Sequence, residues 1–209
     1  MVLPAGKGSL AEVLRKKTAG LFFAFLLLLG AISAHPSFSA DFEDQAISLC
    51  RNALRSYLEK GESLPVPKGL PERFYRPGPL FVTIARNRQP RGCAGSFRAT
   101  RASLAEGIIT FSIAAATQDF RYPPLSSAEL DEVSITITLP AELVPIGSLS
   151  EYLPWKEGLV IRKNGREGVT LPGEARTTAY AVKVALRNAG LDAVDGASLY
   201  KFTAKKISE

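Results

Sequence analysis

Leu80-Phe81-Val82-Thr83-Ile84-Ala85 and Gly92-Cys93-Ala94-Gly95-Ser96-Phe97, separated by the turn-like Asn87-Arg88-Gln89-Pro90, read as a β-hairpin. The hairpin and the segments downstream of it decide the fold class. Residues 103–117 are apolar on nearly every side, which predicts a buried helix, with Ser103 and Glu106 spaced as a capping box. Val133-Ser134-Ile135-Thr136-Ile137-Thr138-Leu139 alternates strictly and predicts a strand with Val133, Ile135, Ile137 and Leu139 on a core. A second hairpin is expected around Asn164-Gly165, joining residues 159–162 to 168–171. A helix over 177–189, stopped by Gly190, and one closing strand over 198–204 complete the pattern. Upstream, Phe42, Ala46, Leu49, Cys50, Ala53, Leu54, Tyr57 and Leu58 predict an amphipathic helix over 41–60. The Pro- and Gly-rich stretch 64–79 is a surface connection. Strands and helices mix without βαβ alternation, so the class is α+β, with a mixed or antiparallel sheet and packed helices.

The chain has 209 residues, and residues 1–40 read as a targeting segment ahead of one domain over 41–209. Arg15-Lys16-Lys17 precedes a dense apolar run of about 14 residues, roughly 21 Å as a helix and short of the ~30 Å bilayer core. That favours a secretory signal peptide; the competing reading is an uncleaved signal anchor, a hydrophobic transmembrane helix. Either way the body is expected to be exported, in the periplasmic or extracytoplasmic space or tethered there. The formal charge is +6, half of it in the first 40 residues, so the body carries +3 and does not read as a nucleic-acid binder. The single histidine, His35, lies in the targeting segment, which leaves the body without Cys-His or Ser-His-Asp machinery and without a metal site.

The chemistry-bearing residues gather around the first hairpin. Arg91-Gly92-Cys93-Ala94-Gly95 sets a thiol between glycines, which open backbone angles closed to other residues. Residues 73–101 hold Arg73, Arg76, Arg86, Arg88, Arg91, Arg98 and Arg101 with no acid and no lysine, either an anion-binding surface or a solvated hairpin. Cys93 is the candidate catalytic thiol, its pKa lowered by a neighbouring arginine, or else a small residue packed under a bulge. Cys50 sits on a core face, where a free cysteine behaves as a small hydrophobe; a Cys50–Cys93 bridge is the other reading. In Asp119-Phe120-Arg121-Tyr122-Pro123-Pro124, Asp119 and Arg121 form a local pair, or Arg121 stays free for a ligand. Glu129, Asp131 and Glu132 read as a solvated corner, and Glu174 as surface.

Taken in order, Leu80-Phe81-Val82-Thr83, Arg91-Gly92-Cys93-Ala94-Gly95, Ala114 to Pro124, Glu129-Leu130, Val133-Ser134-Ile135, Gly158-Leu159-Val160-Ile161 and Leu171-Pro172 resemble the AMMECR-type domain, the A protein of the AmmeMemoRadiSam system. The similarity covers about residues 42–207. Ala94 stands where that family usually has isoleucine, and Tyr122 where phenylalanine is common. The resemblance implies a two-lobed α+β domain with a cleft near the hallmark strand, but no particular reaction. By motif position, Arg91, Gly92, Cys93, Gly95, Asp119 and Arg121 fall on the family's suspected site. It also implies partners: a Memo-type dioxygenase-like protein and a radical-SAM protein.

The expectation is therefore an exported or membrane-tethered protein, enzyme or accessory factor, whose cleft binds an anionic small molecule or modified group without a cofactor. Arg91 and Arg121 would hold the anion, Cys93 would line the site, and Gly92 and Gly95 would allow close approach. The alternatives are a non-catalytic module docking a partner through the arginine hairpin, and a thiol enzyme at Cys93.

Overall fold

The computed structural model describes residues 38–209. The expected targeting segment, residues 1–40, lies outside them, except for its last residues, which open helix α1 (Phe38–Lys60) ahead of the expected Asp41. Residues 39–209 form one compact unit. Among the described residues no helix is long and apolar enough to cross a membrane.

Two four-stranded sheets, both wholly antiparallel, build the body, where one mixed or antiparallel sheet was expected. The first has the order β2-β1-β3-β8, from β1 (Leu80–Arg86), β2 (Gln89–Ser96), β3 (Val133–Pro140) and β8 (Ala204–Ser208). The second has the order β4-β7-β5-β6, from β4 (Val144–Ile146), β5 (Gly158–Lys163), β6 (Arg166–Thr170) and β7 (Ser198–Phe202). The closing strand expected over 198–204 is thus two strands. The chain leaves the second sheet after Phe202 and enters the first at Ala204. Residues 141–143 make the reverse crossing beside it, and Ala141 donates its amide to the Thr203 carbonyl at 2.8 Å. The whole second sheet is therefore an insertion between two strands, β3 and β8, that pair with each other.

Period-two alternation sorts the side chains into layers. Val82, Ile84, Ile135, Ile137 and Ile207 cover one face of the first sheet with α1 and α2 (Leu104–Thr117). Its other face meets the second sheet through Phe81, Val160 and Phe202. Leu159 and Ile161 pack the far side against α3 (Thr178–Ala189). The order is helices, sheet, sheet, helix. Helix α2 is apolar all round because α1 and the sheet cover it. Its Ser112 hydroxyl donates to the Ile108 carbonyl and lies 2.8 Å from Cys50 Sγ on α1. Both cysteines are free thiols, and Cys50 is fully buried.

Capping follows the sequence with one change. Ser103 Oγ accepts the Glu106 amide at 3.1 Å, but the Glu106 carboxylate reaches back to the Ala102 amide, one residue before the cap. Such a cap is worth about 1 kcal/mol. Both hairpins close with two left-handed residues, the turn whose twist matches antiparallel strands. In the second, Asn164 and Gly165 adopt φ of 50° and 76°. In the first, Asn87 and Arg88 adopt 52° and 63°, so an arginine holds the place where glycine is strain-free.

Candidate functional site

Strand β2 is an edge strand with a bulge. Ile84 pairs with Gly92 and Ala85 with Pro90, so Arg91 has no partner across the hairpin. A bulge re-aims the side chain at the extra residue. Arg91 swings away from the facing sheet and into the loop after α2. Its Nε and Nη2 donate to Glu129 at 3.1 and 3.2 Å, and its Nη1 and Nη2 to the carbonyls of Pro123 and Pro124. The corner expected to be solvated is instead the counter-charge of the hairpin. Glu129 takes Arg91, Arg86 ion-pairs with both Glu129 and Glu132, and Arg55 reaches Asp131. The bonds from Ser126 and Arg91 hold the Glu129 carboxyl down at about 2. The hairpin arginines therefore do not converge on one anion site. Arg73 stacks over Phe42, and Arg76 pairs with Glu72.

Gly92 also serves packing. A Cβ there would stand 1.9 Å from the Ala115 carbonyl oxygen of α2, so only glycine lets helix and strand approach this closely.

The remaining hallmark residues do meet. Asp119 follows α2 and turns its nearly buried carboxylate to the edge of β2. Its Oδ2 accepts the Cys93 amide at 2.8 Å, and its two oxygens accept Arg121 Nε and Nη2 at 2.8 and 2.7 Å. Burial pushes this carboxyl up, but the bonds from Arg121 and Cys93 outweigh it and leave it below its usual range. Of the two readings open for Arg121, the local pair holds, and Nη1 extends further toward Asn188 Oδ1 of α3 at 3.5 Å. Asn188 in turn donates to the Val169 carbonyl of β6 at 2.9 Å. A polar chain thus runs from β2 to β6 across the gap between the sheets.

Two cavities flank this chain. One of about 340 Å³ is walled by Cys93, Ala94 and Gly95 of β2, by Asp119 and Phe120, and by Val169 and Leu171 opposite. The other, about 460 Å³, is walled by Thr83, Arg88, Tyr122, Tyr180 and Arg187. Cys93, Arg121 and Glu174 line both, so the cavities meet there. Arg91 and Gly92 line neither. Burial raises the Cys93 thiol to about 11, against a small opposing bond from Thr83 and the more distant Arg121. It is a neutral thiol at physiological pH, not the low-pKa thiolate the arginines suggested. Among the described residues no cluster of His, Cys, Asp and Glu is arranged to hold a metal ion.

Three lining residues had no functional reading in the sequence: Glu174, Arg187 and Asn188. Glu174 is exposed at the cleft mouth, but its carboxyl lies down on the Leu171 amide at 2.8 Å, where lost hydration raises its pKa against the pull of Arg121, Lys206 and Arg187. Arg187 is the residue before Asn188 in the last turn of α3, opposite the hallmark strand; its spacing from Tyr180 and Val184 on one helix face was the available signal. Arg88 and Arg187 make no side-chain hydrogen bond or ion pair among the described residues.

Two antiparallel sheets with packed helices and a polar cleft lined from both sheets define an α+β domain. The chain belongs to the AMMECR1 family, whose model matches residues 47–207. A protein of Thermotoga maritima is 32% identical over 158 residues, covering 73% of this chain and 91% of its own. A protein of Thermococcus onnurineus is 32% identical over 136 residues, covering 60% of this chain and 66% of its own. The crystal structure of PH0010 from Pyrococcus horikoshii shares the fold, with a TM-score of 0.71 at 24% identity over 80% of this chain and 91% of that one.

Proposed function

We propose that the paired cavities bind an anionic small molecule or modified group, with Arg187 and Arg88 as its cationic contacts. One observation carries the reading. Two guanidinium groups with no hydrogen bond or ion pair among the described residues, those of Arg88 and Arg187, face one cavity, where lost hydration raises the pKa of the neighbouring acid, Glu174. Arg88 adds support, because it occupies a left-handed turn position that costs a non-glycine residue about 1 kcal/mol. Asp119 and Arg121 act as a rigid floor, and Cys93 lines the site without attacking. In keeping with the resemblance, the protein serves as an enzyme or accessory factor alongside a Memo-type and a radical-SAM protein, and residues 1–40 export or tether it. Docking through the arginine hairpin is disfavoured, since Arg76, Arg86 and Arg91 are paired within the chain.

The test is a titration of the isotope-labelled full chain with glutarate and with inorganic phosphate, monitored by amide chemical shifts. Shifts confined to the segments around Asp119, Glu174 and Arg187, weakened at least about tenfold by Arg88→Ala with Arg187→Ala, support the reading. Shifts scattered over the surface, or none, overturn it.

A further inference from the structure

The outer rim of β2 walls the smaller cavity at Cys93, Ala94 and Gly95. In an antiparallel pair, every second residue turns its amide and carbonyl toward the partner strand, and those between turn them outward. Cys93 fixes the phase here, because its amide leaves the sheet to meet Asp119. Pro90 agrees, since it has no N–H and pairs with Ala85 at another outward position before the bulge. Gly95, opposite Phe81, therefore also turns its N–H and C=O outward, as Cys93 does its C=O. None of these groups has a hydrogen-bond partner among the described residues.

Elsewhere this edge is protected. Pro90 lacks a donor, Arg91 is bulged out, and Asp119 occupies the Cys93 amide. On the facing edge strand, β6, the Val169 carbonyl is held by Asn188. Protection stops where the cavity begins.

We infer that the ligand of this cleft is peptidic: an extended polypeptide segment that carries a carboxylate and adds to β2 as a short strand. The inference rests on the anion-binding reading of Arg88 and Arg187. The ligand residue opposite Gly95 exchanges two backbone hydrogen bonds with it, and the Cys93 carbonyl accepts a further amide. Asp119 ends the pairing, because the Cys93 amide is already taken. Past Cys93 the segment enters the second cavity, where Arg187 and Arg88 meet its carboxylate. A small carboxylate alone would satisfy the arginines and leave the Gly95 rim unused.

The experiment compares N-acetyl-Ala-Ala-Glu, its versions N-methylated at each amide in turn, and glutarate, all with the full chain. The expected result is a downfield shift of the Gly95 amide proton and at least about tenfold slower exchange with the peptide, and at least about tenfold weaker binding of one N-methylated version. If the peptide and glutarate perturb the same residues and leave Gly95 exchange unchanged, the peptidic inference falls and the carboxylate site stands. If neither binds, both fall.

Discussion

The carboxylate of Asp119 holds the backbone amide of Cys93, 26 residues earlier in the chain, at 2.8 Å. The same carboxylate is gripped by Arg121. One side chain thereby closes an exposed strand edge and fixes the loop that walls the cleft. Asp119 is only 4% exposed and Arg121 20%, so removing the acid leaves a partly buried guanidinium unpaired. Asp119→Ala is expected to lower stability by about 2–3 kcal/mol in urea unfolding and to speed exchange of the Cys93 amide. Unchanged exchange there would contradict the bond.

Arg91 offers the opposite test. Its guanidinium is spent on Glu129 and on the carbonyls of Pro123 and Pro124. Arg91→Ala should cost about 2 kcal/mol of stability and leave glutarate affinity within about twofold of the parent. A tenfold loss of affinity without a stability change would return Arg91 to the binding site.

Acid should unfold the protein through the same carboxylates. Glu129 sits at about 2 in the folded chain against an ordinary value of 4.5, and Asp119 is also lowered. A depressed folded value means that the stabilisation is complete above the ordinary carboxylate range and drains as pH falls toward about 2. Glu129→Gln should be less stable at neutral pH and show a shallower loss between about pH 5 and 2. Parallel curves for the two proteins would refute the assignment.

Cys93 at about 11 and Cys50 at about 12 predict inert thiols. Iodoacetamide at pH 8 should modify neither at an appreciable rate in the folded protein, and both rapidly in urea. Alkylation of Cys93 faster than that of free cysteine would revive the thiol-enzyme reading.

What was legible in the sequence was local. The strand over 133–139 and the helix over 103–117 declare themselves because alternation and unbroken apolarity need no partner to be read. Strand β4 is only Val144–Ile146, too short to show a period. The segment over 204–208, Ala-Lys-Lys-Ile-Ser, presents a single apolar anchor, Ile207, so its pairing with β3 is set by the sheet it joins. The site divides in the same way. Asp119 and Arg121 are neighbours in sequence and remain so in space. Arg91 was read with its neighbours, but its acid, Glu129, lies 38 residues on. Glu174 and Arg187 come to the cleft only when the second sheet is laid against the first; the helix face that carries Arg187 can be read from the sequence, but what it faces cannot.

Because the second sheet is spliced between β3 and β8, the first sheet is completed by a strand made only after all of the second. Arg51 on α1 closes on the side chain of Glu209, just past β8, at 2.6 Å. A nascent chain emerging from the ribosome thus carries an unfinished first sheet, with β3 still unpaired on one side, until β8 has followed the whole of the second sheet. The two halves of the cleft must mature together, and loss of β8 damages the sheet that was begun first.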